Sequence, residues 1–545
     1  MFRSIWSKSL RDYRVTILAW GLGLGVLMAA GLAEATPTVI AAFANLATLF
    51  RFLGDPYAIQ TPEGFITFRW MGAFLPLLLS FWPILVGARL VRGEEERGTL
   101  DVLLATPQTR TRLLLSKVGA LASALILIAV LFALGTVAGE ARLGGGHIAM
   151  LRALLAGLNL GLLAFFFGMV ALLLSQLTIS RGVAAGWTSG LLLLTLLLDS
   201  TGRLVNGSWV QYLSPFYYYN LNRPLIPSFP DQPVAVLLLL GLSLLCLGIS
   251  LVLFTRRDIG RAAFSWQRKQ AFNNQQALHS LGRAERAFST RNVSLHTLSE
   301  QGWPAFWWLF GVVVLCVYCL LLALYIQQPF DKLVQETPLL QQLLFDTPTN
   351  TNTALLGTFL FTFMPALVAI FALVLALKWS EDLENGRLEL IFSTPQSRIR
   401  VLLERFGANA LVLLPAPVLT WLAITIGAQL AHLSVDQGRA LAASFNMLPM
   451  ALITISLVYA LAGRIRYNAL LGILVAYLVL SFVEELLEGM IQFPAWLMSL
   501  SIFHLYGNPV FLGMNWNNFL GMTAVAAILL LLGLVQFRSA DIKLG

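Results

Sequence analysis

Charged residues are scarce in this chain of 545: Asp, Glu, Lys and Arg together make up 12% of it, roughly half of what soluble domains carry. That scarcity excludes a soluble enzyme or binding module. Histidine is equally thin. The five residues His147, His279, His296, His432 and His504 are scattered rather than clustered, and no HExxH or GxSxG segment occurs, so neither a metal site nor a hydrolase centre is supported. Also missing is GxxxxGK followed by Ser or Thr, the backbone cradle and lysine that hold nucleotide phosphates, so the chain cannot hydrolyse ATP by itself. The three cysteines, Cys246, Cys316 and Cys319, fall inside apolar runs. Cys316 and Cys319 have CxxC spacing, but thiols in hydrocarbon read as packing rather than redox chemistry.

What fills the chain instead is apolar: 58% of residues are hydrophobic and the mean hydropathy is +0.77. A helix needs about 20 apolar residues to cross about 30 Å of hydrocarbon, and such runs recur twelve times. Six lie near residues 15–33, 70–88, 113–138, 151–174, 183–198 and 234–254, and six near 305–326, 355–377, 408–430, 441–462, 467–483 and 519–537. The first run lacks a small-residue cleavage site and reads as an uncleaved signal anchor. With the N-terminus inside, alternate loops hold about 28 of the 36 Lys and Arg on the inner side, while acids divide almost evenly. Positive charge stays cytoplasmic, so both termini are expected inside. The net charge of +9 tracks a membrane face and gives no reason to expect nucleic acid.

The second half repeats the first. GEEERGTLDVLLATPQTR at 93–110 and EDLENGRLELIFSTPQSR at 381–398 align at an offset of 288 residues. Glu94 stands opposite Asp382, Glu96 opposite Glu384, Gly98 opposite Gly386, Leu100 opposite Leu388, Asp101 opposite Glu389, Thr106-Pro107 opposite Thr394-Pro395, and Arg110 opposite Arg398. In the same register Tyr218 and Asn220 meet Tyr506 and Asn508; the offset then slips by five, and each half closes on VxFxxxDI, at Val252–Ile259 and Val535–Ile542. A unit with an even number of spans enters the membrane twice in one orientation, so two parallel halves with a pathway between them are expected. They are taken as residues 1–290, including a basic linker, and 291–545. The stretch Phe2 to Arg14 gathers Phe2, Ile5, Trp6 and Tyr13 on one helical face, the pattern of an interfacial helix.

The repeated segment carries the chemistry. Glu94, Glu95 and Glu96, or Asp382 and Glu384, precede a glycine. Leu100, Leu103 and Leu104, or Leu388, Ile391 and Phe392, then recur at i, i+3 and i+4 until Pro107 or Pro395, lacking a donor, stops the helix. A short amphipathic helix is predicted in each copy. The acids suit the positive end of a helix and equally suit basic residues of a partner.

Gly98-Thr99-Leu100, Leu103-Leu104, Thr106-Pro107 and the basic Arg110 resemble the inner loop after the second span in permeases of ABC-2 type exporters. The second copy departs from that pattern at Arg387 and Phe392. The resemblance covers essentially the whole chain and looks most like fused twelve-span permeases of antibiotic, multidrug and polyketide ionophore export. It implies an all-α polytopic membrane protein: twelve transmembrane helices as two parallel six-helix repeats, with interfacial elbow helices and cytoplasmic coupling helices. It also implies that residues 94–110 and 382–398, with Thr99, Glu389, Thr394 and Arg398 among them, dock on two copies of a separate ABC ATPase, on which ATP and Mg are expected. The cargo implied is a hydrophobic small molecule, moved out across the lipid of a prokaryotic inner (plasma) membrane.

Other features admit two readings. Asn159, Gln176, Asn409 and Asn446 lie inside spans, where polar side chains line a pathway or make interhelical hydrogen bonds. Tyr217, Tyr218, Phe503 and Tyr506, before the sixth and twelfth spans, mark an outer gate or an interfacial aromatic belt. Gly21, Gly23 and Gly25, and Gly182, Gly186 and Gly190, predict close helix contacts. An ion-coupled secondary transporter also has two parallel halves but needs ionisable groups within the membrane. Asp199, Glu484, Glu485 and Glu488 fall at span ends, which weighs against it. A membrane scaffold or sensor regulated by an ATPase is the third reading.

Overall fold

The computed structural model describes residues 5–47, 50–52, 54–96, 98–100, 105, 108–141, 148–178, 180–204, 208–256, 293–336, 351–384, 386, 388, 396–487 and 494–539. The chain divides into two compact units, Met1–Gln270 and Ala271–Gly545. The linker around that division, and with it the expected boundary after residue 290, lies outside the described residues.

The first unit contains α1 (Ile5–Asp12), α2 (Arg14–Glu34), α3 (Pro37–Leu46), α4 (Pro62–Ile66), α5 (Phe74–Arg89), α6 (Arg92–Glu96), α7 (Arg110–Glu140), α8 (Met150–Leu177), α9 (Arg181–Leu204), α10 (Pro215–Asn220) and α11 (Pro233–Arg256). The second contains α12 (Val293–Glu336), α13 (Thr351–Phe359), α14 (Met364–Glu384), α15 (Arg398–Leu413), α16 (Pro415–Leu430), α17 (Gln437–Phe445), α18 (Met447–Leu461), α19 (Tyr467–Leu487), α20 (Ala495–Met498), α21 (Ile502–Tyr506), α22 (Pro509–Leu512) and α23 (Trp516–Ser539). Among the described residues there is no β-strand, and ten helical segments are long and apolar enough to cross a membrane. The protein is a multi-pass membrane protein. Of the twelve expected spans, the two outside this ten are the run at 70–88, which is a pair of helices bent by 45°, and the run at 467–483, whose apolar stretch Ala469–Phe482 is short.

Proline places the bends. Pro76 cannot donate to the carbonyl of Gly72, and the chain breaks there between a π-turn at Thr67–Met71 and α5. The orphaned Gly72 carbonyl accepts instead from Asn220 Nδ2 at 3.3 Å, as a low-dielectric setting demands. In the second unit Pro365 follows the turn between α13 and α14, Pro415 opens α16, and Pro449 removes the donor to Phe445 where α17 gives way to α18.

Glycine sets the close approaches. A Cβ on Gly135 of α7 would lie 2.4 Å from the Cα of Gly25 of α2, and one on Gly21 would meet Leu131 at 2.4 Å. Small residues thus let two backbones touch, supplying packing where no hydrophobic drive exists between helices. Gly23 points to open space, as do Gly182, Gly186 and Gly190. Within the first unit the close contact expected along α9 is therefore not made, since a Cβ at any of its three glycines would meet no atom within 4 Å. At the centre of the first unit sits α8, 72% buried over its apolar window, against α5, α7, α9 and α11; α11 is only 22% buried. Within the stretch Phe2 to Arg14 a separate helix forms, α1, held to α7 by a Trp6 Nε1–Ser123 Oγ bond of 3.2 Å. The second unit has no separate elbow among its described residues, because α12 runs unbroken from Val293 to Glu336.

Candidate coupling site

Where α5 ends, the chain turns into α6, and each of its acids is engaged within the unit. Lys117 Nζ, on α7, donates to Glu94 Oε1 at 2.8 Å and to the carbonyl of Leu90 at 3.0 Å. Arg92, 3% exposed, pairs with Glu95 at 2.5 Å and also donates to the carbonyl of Thr178 at the end of α8. Glu96 Oε1 accepts from the backbone N–H of Arg181 at 2.8 Å, and Arg181 Nε lies 3.1 Å from its other oxygen. Glu96 thereby caps α9, whose first N–H groups have no partner inside the helix and whose dipole favours negative charge. Thr99 Oγ1 donates to the Glu94 carboxylate.

The second unit repeats the device. Arg405 Nη1, on α15, donates to Asp382 Oδ2 at 2.5 Å. Glu384 Oε2 accepts from the N–H of Tyr467 at 2.8 Å, at the start of α19. Gly98 and Gly386 follow with φ of +67° and +68°, the left-handed region where a Cβ is penalised. A Cβ at Gly98 would meet no atom within 4 Å, so that glycine is needed for backbone conformation and not for space. Leu100 and Leu388 are both 2% exposed.

The Thr-Pro-Gln segments end in helix caps. Thr109 Oγ1 accepts from Arg112 N at 3.2 Å to open α7, and Ser397 Oγ accepts from Arg400 N at 3.3 Å to open α15, the usual role of a hydroxyl at such a start. Arg110 donates to the carbonyl of Phe254 at 3.1 Å, near the end of α11, with its guanidinium over the Phe254 ring. Arg398 is the first residue of α15. Leu103, Leu104, Thr106, Pro107, Glu389, Ile391, Phe392, Thr394 and Pro395 lie outside the described residues.

Sequence reasoning missed Lys117 and Arg405, which complete the two acid–base pairs, and also Arg92 and Arg181. A signal existed: Lys117 and Arg405 stand at the same offset of 288 as the acids they bind.

The span polar residues are all packed inside their own unit. Asn159 Nδ2 donates to the carbonyls of Tyr219 at 3.0 Å and Asn222 at 3.2 Å, and Asn446 Nδ2 to the carbonyl of Tyr506 at 2.7 Å. These matching clips pair Tyr506 with Tyr219, at an offset of 287, one residue away from the register that sets it opposite Tyr218. Asn409 Nδ2 donates to Tyr459 Oη at 3.1 Å, and Gln176 bonds Ser175 Oγ at 3.0 Å. Of the aromatics before the last spans, Phe503 and Tyr506 are buried, and Tyr506 Oη donates to the carbonyl of Ala443 at 3.0 Å. Burial pushes the phenols of Tyr219 and Tyr506 well above the usual range, so both stay protonated. Tyr217 packs edge-on to Tyr212 and Tyr218.

Residues 7–259 match the family model described as ABC-2 family transporter protein. Residues 297–538 match that of the multidrug efflux system permease Rv1217c, C-terminal domain. No curated protein matches the chain. With one match on each unit, and with the all-helical build described above, the chain belongs to the ABC-2 type transporter permeases.

Proposed function

We propose that this permease is the membrane subunit of an ATP-driven exporter with twelve spans in two parallel six-helix halves, both termini facing the cytoplasm of a prokaryotic cell. Two separate ABC ATPase subunits, bearing ATP and Mg, engage residues 94–110 and 382–398. Their closure displaces these segments, and the halves alternate between inward and outward access to pass a hydrophobic or amphipathic molecule. The observation that carries this reading is the twofold latch: Glu94–Lys117 with Glu96 at the head of α9, and Asp382–Arg405 with Glu384 at the head of α19. A segment tied to the third and fifth spans in this way transmits a push to both. Because the acids, and Thr99 with them, are engaged internally, contact with the ATPase falls to Leu103 and Leu104 and to Ile391 and Phe392. The multidrug efflux named by the second matched family supports a drug-like cargo.

Copurification with candidate ABC ATPases, followed by ATP hydrolysis, tests it. The expected complex has two ATPases per chain. Leu103→Arg with Ile391→Arg removes association while the latches stay closed. If the chain binds no ATPase and an ion gradient alone drives flux, the reading gives way to an ion-coupled transporter.

A further inference from the structure

Between α3 and α4, residues 54–61 form a strap clasped to the loop that follows α10. Arg223 Nη1 donates to the carbonyl of Asp55 at 2.6 Å, and its Nη2 lies 3.5 Å from the Asp55 carboxylate. Tyr57 Oη donates to the carbonyl of Ser228 at 3.1 Å, and the Tyr57 ring meets Phe229 edge-on at 5.0 Å. The strap is seated as well as clasped. A Cβ on Gly64 would fall 1.9 Å from the carbonyl oxygen of Ala58, so glycine alone lets α4 lie this close. Gly54 comes to rest on α9, where a Cβ would lie 3.6 Å from Arg203 Nη1.

Two features oppose this closed arrangement. Asp199 and Arg203 are 3% and 7% exposed and pair through one oxygen, Asp199 Oδ2 accepting from both Nε and Nη2. Asp199 Oδ1 and Arg203 Nη1 are buried with no hydrogen-bond partner among the described residues. Unsatisfied atoms of buried charged groups are costly, and water reaching them under a lifted strap would relieve that cost. Ala58 has φ of +50°, in the left-handed region that penalises a side chain, and such strain persists only where the surroundings impose it. The forces that hold the strap are modest: the Asp55 side chain is 52% exposed, so solvent screens its pairing with Arg223.

The helix beneath the strap leads back to the coupling site. α9 runs for 24 residues, about 36 Å, from Arg181, which Glu96 holds, to the last two turns, which carry Asp199 and Arg203. On the side of Gly182, Gly186 and Gly190 a Cβ would meet no atom within 4 Å, so a tilt of α9 that way is unobstructed within the unit. We infer that residues 54–61 are a lid on the outer face of the first unit, held shut over the Asp199–Arg203 pair and unseated when the coupling segment displaces α9. The second half does not repeat the clasp in register: Leu343 and Phe345 stand for Asp55 and Tyr57 at the offset of 288, and neither Phe511 nor Tyr506, opposite Arg223 at offsets of 288 and 283, is basic.

This role rests on the coupling reading of residues 94–110, but its test needs no ATPase, so the two can fail separately. Spin labels are placed at the exposed positions Gln60→Cys and Asp231→Cys, in the full chain with Cys246, Cys316 and Cys319 replaced by alanine. The distance between them is followed in lipid nanodiscs by pulsed and continuous-wave electron paramagnetic resonance, with thermal unfolding to verify folding. One short distance is expected to dominate. Arg223→Gln, which cuts the clasp directly, adds a longer one. Glu96→Arg, which sets a like charge against Arg181 at the far end of α9, raises the population of that longer distance at least threefold, and the milder Glu96→Ala raises it less. Asp199→Leu with Arg203→Leu lowers it, because the unsatisfied pair that favours opening is gone. If Arg223→Gln adds no longer distance, the strap is not held by this clasp and the inference falls. It falls equally if Arg223→Gln opens the strap while folded Glu96→Arg and Glu96→Ala chains match the wild type, since the strap is then a fixed staple that α9 does not move.

Discussion

Lys117 is a lysine inside a run otherwise read as hydrocarbon-spanning, and its Nζ reaches Glu94 at 2.8 Å with only 10% of the side chain exposed. An ammonium so placed persists because a carboxylate and the Leu90 carbonyl receive it; stripped of one, it becomes a poorly solvated charge. Glu94→Gln is therefore expected to lower stability by about 1.5–3 kcal/mol, the range for hydrogen bonds to charged groups, and the swap Glu94→Lys with Lys117→Glu to recover part of it. Thermal unfolding in micelles measures both. The acids were legible in the sequence as a motif but their direction was not, since a carboxylate suits a helix end, a partner or an internal base equally. Gly98 was legible as a conserved register between the halves, though its reason, a positive φ, belongs to the backbone. Gly98→Ala should cost about 1–2 kcal/mol, the penalty of the left-handed region for a Cβ. Gly186→Ala, in a helix facing open space, should stabilise by about 0.5–1 kcal/mol. Equal effects of the two, read in the same unfolding assay, would contradict the conformational account.

At the scale of elements, apolar periodicity told where helices run but not where they break. The run at 70–88 reads as one span, whereas the missing Pro76 donor and a π-turn divide it from what precedes. The repair of that break comes from Asn220, far along the chain, by a contact no local pattern reveals. The clips from Asn159 and Asn446 are of the same kind: buried amides that hold a short aromatic helix, α10 or α21, against the fourth span. Sequence left them open between pathway and packing because an amide in a span serves either. In the structure both amides donate to backbone carbonyls of those short helices. Asn446→Leu should release α21, costing about 1–3 kcal/mol for the unsatisfied Tyr506 carbonyl. Amide hydrogen exchange should then quicken across residues 502–506 and stay unchanged across α15. Unaltered exchange at 502–506 would show that the clip does not hold this helix.

For the whole molecule, duplication was the most legible feature, because a shared offset needs no geometry to be seen. What the sequence could not convey is that the two pairings differ in their surroundings. Both latches use an acid near the end of a helix, Glu94 in α6 or Asp382 in α14, and a base on the helix that follows the repeated segment. In the second, the base is an arginine whose guanidinium also lies 5.6 Å from the Trp379 ring, and Trp379 stacks on Tyr459; the first has a lysine, and Val91 stands at the place of Trp379. Arginine at a stacked, charge-paired site holds its geometry better than lysine, so the second pairing is expected to be the more rigid. If each segment engages one ATPase, the halves should respond unequally to the same lesion. Lys117→Met should uncouple ATP hydrolysis from transport in the first half while both ATPases stay bound, because the docking residues are untouched. Arg405→Met should do so more severely and also lower stability further, since it empties a cation–π contact worth about 0.5–2 kcal/mol. Measuring ATPase stoichiometry by light scattering, hydrolysis rate and reconstituted flux on the same preparations separates these effects. Loss of one ATPase with either substitution would mean that the latch forms part of the docking surface itself. Equal flux defects with full occupancy would mean that the aromatic support of Arg405 stiffens nothing that transport uses.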